Sequence, residues 1–150
     1  MNIFISYSSI DEEIARVVYS ELQKHNIFAW LASQQVTISS NIYEEIKKAL
    51  KNADVVIALI TENFLKSPGA QAELGSLVFG DNMNKLCPIV IGKGIQLPYF
   101  LYGIRYIKVN DFTELDFTEL LNELNSIEKS RGNTIIQEKV KQDRVNALFR

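Results

Sequence analysis

Residues Asp54 to Ile60, DVVIALI, constrain this chain more than any other stretch. After the aspartate the run is continuously apolar and does not alternate, so a strand built from it has no polar face to turn to water. Such a strand needs cover on both sides and belongs in the middle of a sheet with helices above and below it.

The rest of the chain supplies suitable neighbours. Asn2 to Tyr7 (NIFISY) reads as a first strand. Ser9 and Glu12 have capping-box spacing and precede Ile14, Val17, Val18 and Leu22 at helical intervals. Ile27 to Leu31 (IFAWL) reads as a second strand, and Ala32 to Asn41 as a polar loop. A helix follows with Ile42, Ile46, Ala49 and Leu50 on one face. Beyond the central run, Ser67 is a candidate N-cap and Pro68 suits the first position of a helix reaching Phe79. Leu86 to Ile91 (LCPIVI) is a fourth strand, in which Pro88 suggests an edge position or an irregular start. Tyr106 to Val109 is a short fifth strand. A last helix after Asp116 aligns Phe117, Leu120, Leu121, Leu124 and Ile127. Strands alternating with helices imply parallel pairing and right-handed crossovers. The fold expected is a flavodoxin-like, three-layer α/β/α sandwich with a five-stranded, mostly parallel sheet. Sites in such sheets lie at the carboxyl ends of strands, here after Tyr7, after Leu31 and after Ile60.

Composition narrows the function. At 150 residues, 47% hydrophobic and 23% charged, the chain fits one globular domain with a substantial core. It has no apolar run long enough to span a membrane and no positively charged leader, so a cytoplasmic protein with no membrane partner is expected. One cysteine, Cys87, and one histidine, His25, leave no cluster for a zinc site, and no metal is expected. A net charge of −2 argues against a nucleic-acid partner, which needs a concentrated basic face. Residues 131–150 are locally basic and read as a tail or an extra helix beyond a domain at 1–130.

Several chemistries lack their residues. No phosphate-binding P-loop is present, and Gly92-Lys93-Gly94 lacks the further glycine and helix of a dinucleotide fingerprint. The first strand ends in Ser6, Tyr7, Ser8 and Ser9, not in the acids of a phosphoacceptor receiver. Cys87, within an apolar strand, reads as a buried inert thiol. His25, at the end of the first helix, suits carbonyl capping and the helix dipole.

Taken in order, FISYS, the helix near Asp11, AWLA with the loop behind it, YEEIKKALKNAD, VVIALIT and NFLKSPGAQAELG resemble a Toll/interleukin-1 receptor (TIR) domain over about residues 2–128. A domain opening directly on its first strand is similar to prokaryotic, NAD+-cleaving members. The resemblance implies that Glu73 is the catalytic glutamate. It also implies that Tyr7, Ser8 and Ser9 line the nucleotide pocket, with Ser9 fitting an N-cap equally well. Trp30 matches an aromatic that either packs in the core or lines that pocket. Ala32 to Ser40 matches the gating BB loop, from which Ser33 and Gln35 could reach a nucleotide, and Ser67 and Gly69 complete the implied substrate-binding set. Three places depart from the family pattern. Gly69 stands where enzymatic members often carry an aromatic, Ala32 where an acid is usual, and Ile38-Ser39-Ser40 where a Pro-Gly pair is frequent.

The chemistry suits one carboxylate. Breaking the nicotinamide–ribose bond expels a neutral base from a cationic ring, so no general acid is required, unlike ordinary glycoside hydrolysis with its two carboxyl groups. A glutamate can bind ribose hydroxyls and stabilise the developing cation, more strongly away from water. A position early in its helix favours the ionised form. Read without the resemblance, Glu73 also fits a solvated helix surface. The resemblance implies an NAD+ nucleosidase or cyclase of an antiphage immune system. NAD+ is its substrate, no prosthetic cofactor is needed, and its partners are further copies of the TIR domain and a separate effector that reads the product. A non-enzymatic TIR adaptor and a nucleoside deoxyribosyltransferase-like enzyme remain the alternatives.

Overall fold

The computed structural model describes residues 1–31, 42–78 and 85–130; residues 32–41, 79–84 and 131–150 lie outside it. Strand β1 (Asn2–Ser6) leads to helix α1 (Glu12–Lys24), and β2 (Phe28–Trp30) precedes α2 (Ile42–Asn52). Strand β3 (Val55–Ile60) is followed by the short α3 (Glu62–Leu65) and by α4 (Pro68–Val78). Then come β4 (Leu86–Ile91), β5 (Ile107–Val109) and α5, helical over residues 117–130. The strands run in parallel in the order β2-β1-β3-β4-β5, which is the flavodoxin-like order.

The DVVIALI run is central, as its pattern requires. Every residue of β3 is buried, with β1 on one side and β4 on the other. Alternate side chains serve two cores. Val55, Ile57 and Leu59 join Ile3, Ile5, Leu22, Leu120 and Leu124 on the face covered by α1 and α5. Val56, Ala58 and Ile60 join Phe4, Leu50, Phe64 and Leu74 on the face covered by α2, α3 and α4. Each fully buried Leu, Ile or Phe contributes about 1.5–3 kcal/mol relative to an exposed one.

Strand β4 is internal, and Pro88 is reconciled with that position by the length of β5. Pairing between β4 and β5 runs from Ile89 to Ile91, so Leu86 to Pro88 have β3 as their one paired neighbour. The first half of β4 is thus a local edge, where a missing N–H is tolerated.

Helix ends show how local chemistry sets the corners. Asn26 takes the left-handed conformation (φ 58°) after α1, and the N–H groups of Asn26 and Ile27 bond the carbonyls of Gln23 and Leu22 at 3.0 Å. His25 is the C-cap, where the sequence put it. Helix α5 is capped by Asp116, whose Oδ1 accepts from Thr118 N–H at 2.9 Å. Lys85, just before β4, is buried, and its ammonium donates to the carbonyls of Leu50 (2.8 Å) and Ala53 (3.1 Å) at the end of α2. Among the described residues no helix is long and apolar enough to cross a membrane.

Candidate functional site

Strand order reverses direction at β1: the chain passes from β1 outward to β2, then returns to place β3 on the other side. The carboxyl ends of β1 and β3 therefore flank the crevice where ligands enter sheets of this type.

One wall is the corner after β1. Tyr7 is half-buried and packs against the core beneath α1, while Ser8 is buried. Ser8 caps a single 3₁₀ turn, Ser9 to Asp11, its Oγ accepting from Ile10 N–H at 3.4 Å. Ser8, not Ser9, is the cap of this turn; Ser9 is exposed inside it and α1 begins at Glu12. Asp11 explains the shift. Its N–H bonds Ser8 O at 2.8 Å, and its buried carboxylate reaches across the crevice to Thr61 Oγ1 (2.5 Å) and Asn63 Nδ2 (2.9 Å).

The other wall follows β3. Thr61 caps α3, accepting from Phe64 N–H at 3.0 Å. Ser67 caps α4 as its residue type predicts, accepting from Ala70 N–H at 3.3 Å, and Pro68 opens the helix. Gly69 is exposed, and a Cβ there would meet nothing within 4 Å, so packing does not demand glycine. Ala70 and Leu74, one turn apart, are buried beside Phe4 and Phe64, and α4 thereby packs against β1. Residue 73 has its backbone in this helix, and its side chain lies outside the described residues. It is in the second turn of that helix.

The remaining expected residues are spread out. Trp30 is half-buried, stacks on Phe4 (centroids 5.0 Å apart, planes 10° apart) and lines a groove with Phe28, Lys48 and Asn52 toward α2. Ser33 and Gln35, with the rest of the loop, lie outside the described residues. The structure thus brings Tyr7, Ser8 and Ser9 to one side of the switch crevice and Ser67 and Gly69 to the helix that borders it. Asp11, Thr61 and Asn63 are the residues that sequence reading missed. A threonine three residues before Phe64 signals a cap, but nothing local reveals its bond to an aspartate fifty positions away. Beside them, at the carboxyl ends of β3 and β4, a cavity of about 560 Å³ is lined by Thr61, Asn63, Gly92, Lys93 and Gln96.

On the opposite edge, Cys87 borders a cavity of about 250 Å³ with Glu123 and Arg105. Burial, and secondarily the Glu123 carboxylate, push its thiol up to about 12, which suits an inert core residue.

Known proteins agree with this architecture. The TIR domain family model matches residues 3–124. The chain belongs to the TIR-domain family. Among solved structures, the TIR domain of the Toll-related receptor TRR-2 from Hydra magnipapillata is similar, with a TM-score of 0.69 and 19% identity over 82% of this chain and 97% of that one. A prokaryotic SEFIR domain is similar at TM-score 0.57 and 16% identity, covering 85% and 90%. The Clostridium botulinum CMP N-glycosidase BcmB is similar at TM-score 0.57 and 17% identity, covering 81% and 98%. No curated protein matches the chain.

Proposed function

We propose that this TIR domain is a prokaryotic, antiphage-type NAD+ nucleosidase or cyclase acting in the cytoplasm, with Glu73 as its catalytic carboxylate. The observation that carries the reading is the packing of α4, the helix containing residue 73, against β1 beside the switch crevice. The nicotinamide–ribose C–N bond breaks with its electron pair leaving on nicotinamide, which departs neutral. The Glu73 carboxylate stabilises the ribosyl cation left behind. Water then attacks to give ADP-ribose and a proton, or a nucleophile within the same molecule closes a cyclic ADP-ribose isomer. Ser8, Ser9, Tyr7, Ser67 and the open space at Gly69 form the nucleotide's surroundings, joined by Trp30, Ser33 and Gln35. Turnover requires assembly of TIR domains, and a separate effector reads a cyclic product. Activity should therefore rise more than in proportion to protein concentration.

The test is incubation of concentrated protein with NAD+, mass spectrometry of the products, and a Glu73→Ala control. Turnover in the parent that falls by about a hundredfold or more in the variant is the expected result. No turnover at any concentration would leave a non-enzymatic TIR adaptor as the reading. The likeness to a CMP N-glycosidase favours one second reading, an N-glycosidase of nucleoside monophosphates; the nucleoside deoxyribosyltransferase-like alternative likewise breaks an N-glycosidic bond. CMP in the same assay separates it, since base release from CMP without loss of NAD+ would replace the first reading.

A further inference from the structure

Asp11 holds the N-cap position of α1 yet makes no cap bond. An aspartate there ordinarily accepts from an N–H of the first helical turn. Both carboxylate oxygens go instead to the far wall of the switch crevice, Oδ2 to Thr61 Oγ1 and Oδ1 to Asn63 Nδ2. A local rule broken in favour of a long-range bond is a mark of functional sites.

These bonds tie together two corners that are distant in sequence. On the β1 side, the Asp11 N–H closes the turn that carries Ser8 and Ser9. On the β3 side, Thr61 Oγ1 accepts from Phe64 N–H, which leaves its single hydroxyl hydrogen for Asp11 and fixes the direction of that bond. Thr61 and Asn63 begin the segment that leads through Ser67 into α4. Asp11 and Thr61 are each only 7% exposed, so water does not compete for the bond, and a buried carboxylate is costly without such partners.

We propose that Asp11, acting through Thr61 and Asn63, is a positioning residue that sets the spacing between the Ser8–Ser9 turn and the start of α4 for the reaction assigned to Glu73. The inference rests on that reading of function. Thr61 and Asn63 are the better places to test it, because removing the carboxylate would take the acceptor from the buried Thr61 hydroxyl and the half-buried Asn63 amide at once. Thr61→Val deletes the hydroxyl and keeps the shape, Asn63→Ala deletes a single bond, and Thr61→Ser restores the hydroxyl.

Steady-state NAD+ cleavage is measured well below each variant's melting temperature, together with amide hydrogen exchange at residues 8–11 and 61–64. The expected result is a fall of about tenfold or more in kcat/KM for Thr61→Val and Asn63→Ala, with Thr61→Ser within about twofold of the parent. The Asp11 amide should lose protection in Thr61→Val. Unchanged kcat/KM in folded variants that merely melt earlier would overturn the proposal, because that is the signature of a purely structural bond. If the parent cleaves no NAD+, the functional reading has failed, and exchange then decides the clamp. Lost protection at Asp11 in Thr61→Val would support the tie between the two corners, and unchanged protection there would overturn it.

Discussion

Leu74 fastens the middle of α4 to the sheet, and its removal tests whether the helix bearing residue 73 is held where the packing indicates. The side chain is fully buried among Phe4, Phe64 and Ala70. Leu74→Ala deletes roughly three methylene equivalents at about 0.8 kcal/mol each, a transfer loss of about 2.4 kcal/mol. Phe4 on β1 and Phe64 on α3 belong to separate elements and cannot both collapse into the space, so a cavity cost raises the total to about 3–4 kcal/mol. For a chain of this size each kcal/mol shifts the melting temperature by about 2–4 °C, giving a fall of roughly 6–16 °C. Urea and thermal unfolding followed by circular dichroism read both quantities. A loss below about 1 kcal/mol with an unchanged denaturant slope would refute the reasoning, since α4 would then be anchored elsewhere.

Ser67→Ala removes the cap of α4 and should cost about 1 kcal/mol in the same unfolding assay, with Ser67→Asp close to the parent. The Cys87 thiol, pushed up to about 12 by burial and Glu123, should stay unreactive toward a disulfide reagent in native protein at mildly alkaline pH and react fully on unfolding. Asp111 accepts bonds from the Thr113 amide and hydroxyl, which hold its pKa below the ordinary carboxylate value. Its contribution to stability is therefore complete above the unfolded-state pKa and disappears as pH falls through the depressed one. Asp111→Asn should flatten the acid end of the stability–pH curve, and an unchanged acid limb would show that the bonds add nothing.

Most of the fold was legible because its signals are local. The unbroken run at Val55 to Ile60 demanded a doubly covered strand, and the structure buries it between two neighbours. Ser67 with Pro68 announced the start of α4, and Asp116 the start of α5. Pro88 was readable as an edge signal, but its meaning depends on β5 being three residues long, a length no residue near Pro88 encodes. The site was legible in part. Serine at the end of β1 and at the head of α4 could be marked from residue type and position. The Asp11–Thr61–Asn63 bonds could not, since they exist only once β1 and β3 lie side by side. Ser9 has the spacing of a cap, yet Ser8 takes the cap of a 3₁₀ turn, Ser9 to Asp11, that precedes α1.

Strand β1 is flanked by β2 and β3, with Asn2 opposite Phe28 and Ile3 opposite Val55. As the chain emerges during synthesis, Ile3, Phe4 and Ile5 must wait for β3 before their second ladder can close, and distant parallel pairings of this kind close slowly. Both walls of the crevice, the corner after β1 and the corner after β3, meet only when that ladder zips. The event that completes the middle of the sheet is therefore the same event that brings together the two walls between which a ligand can sit.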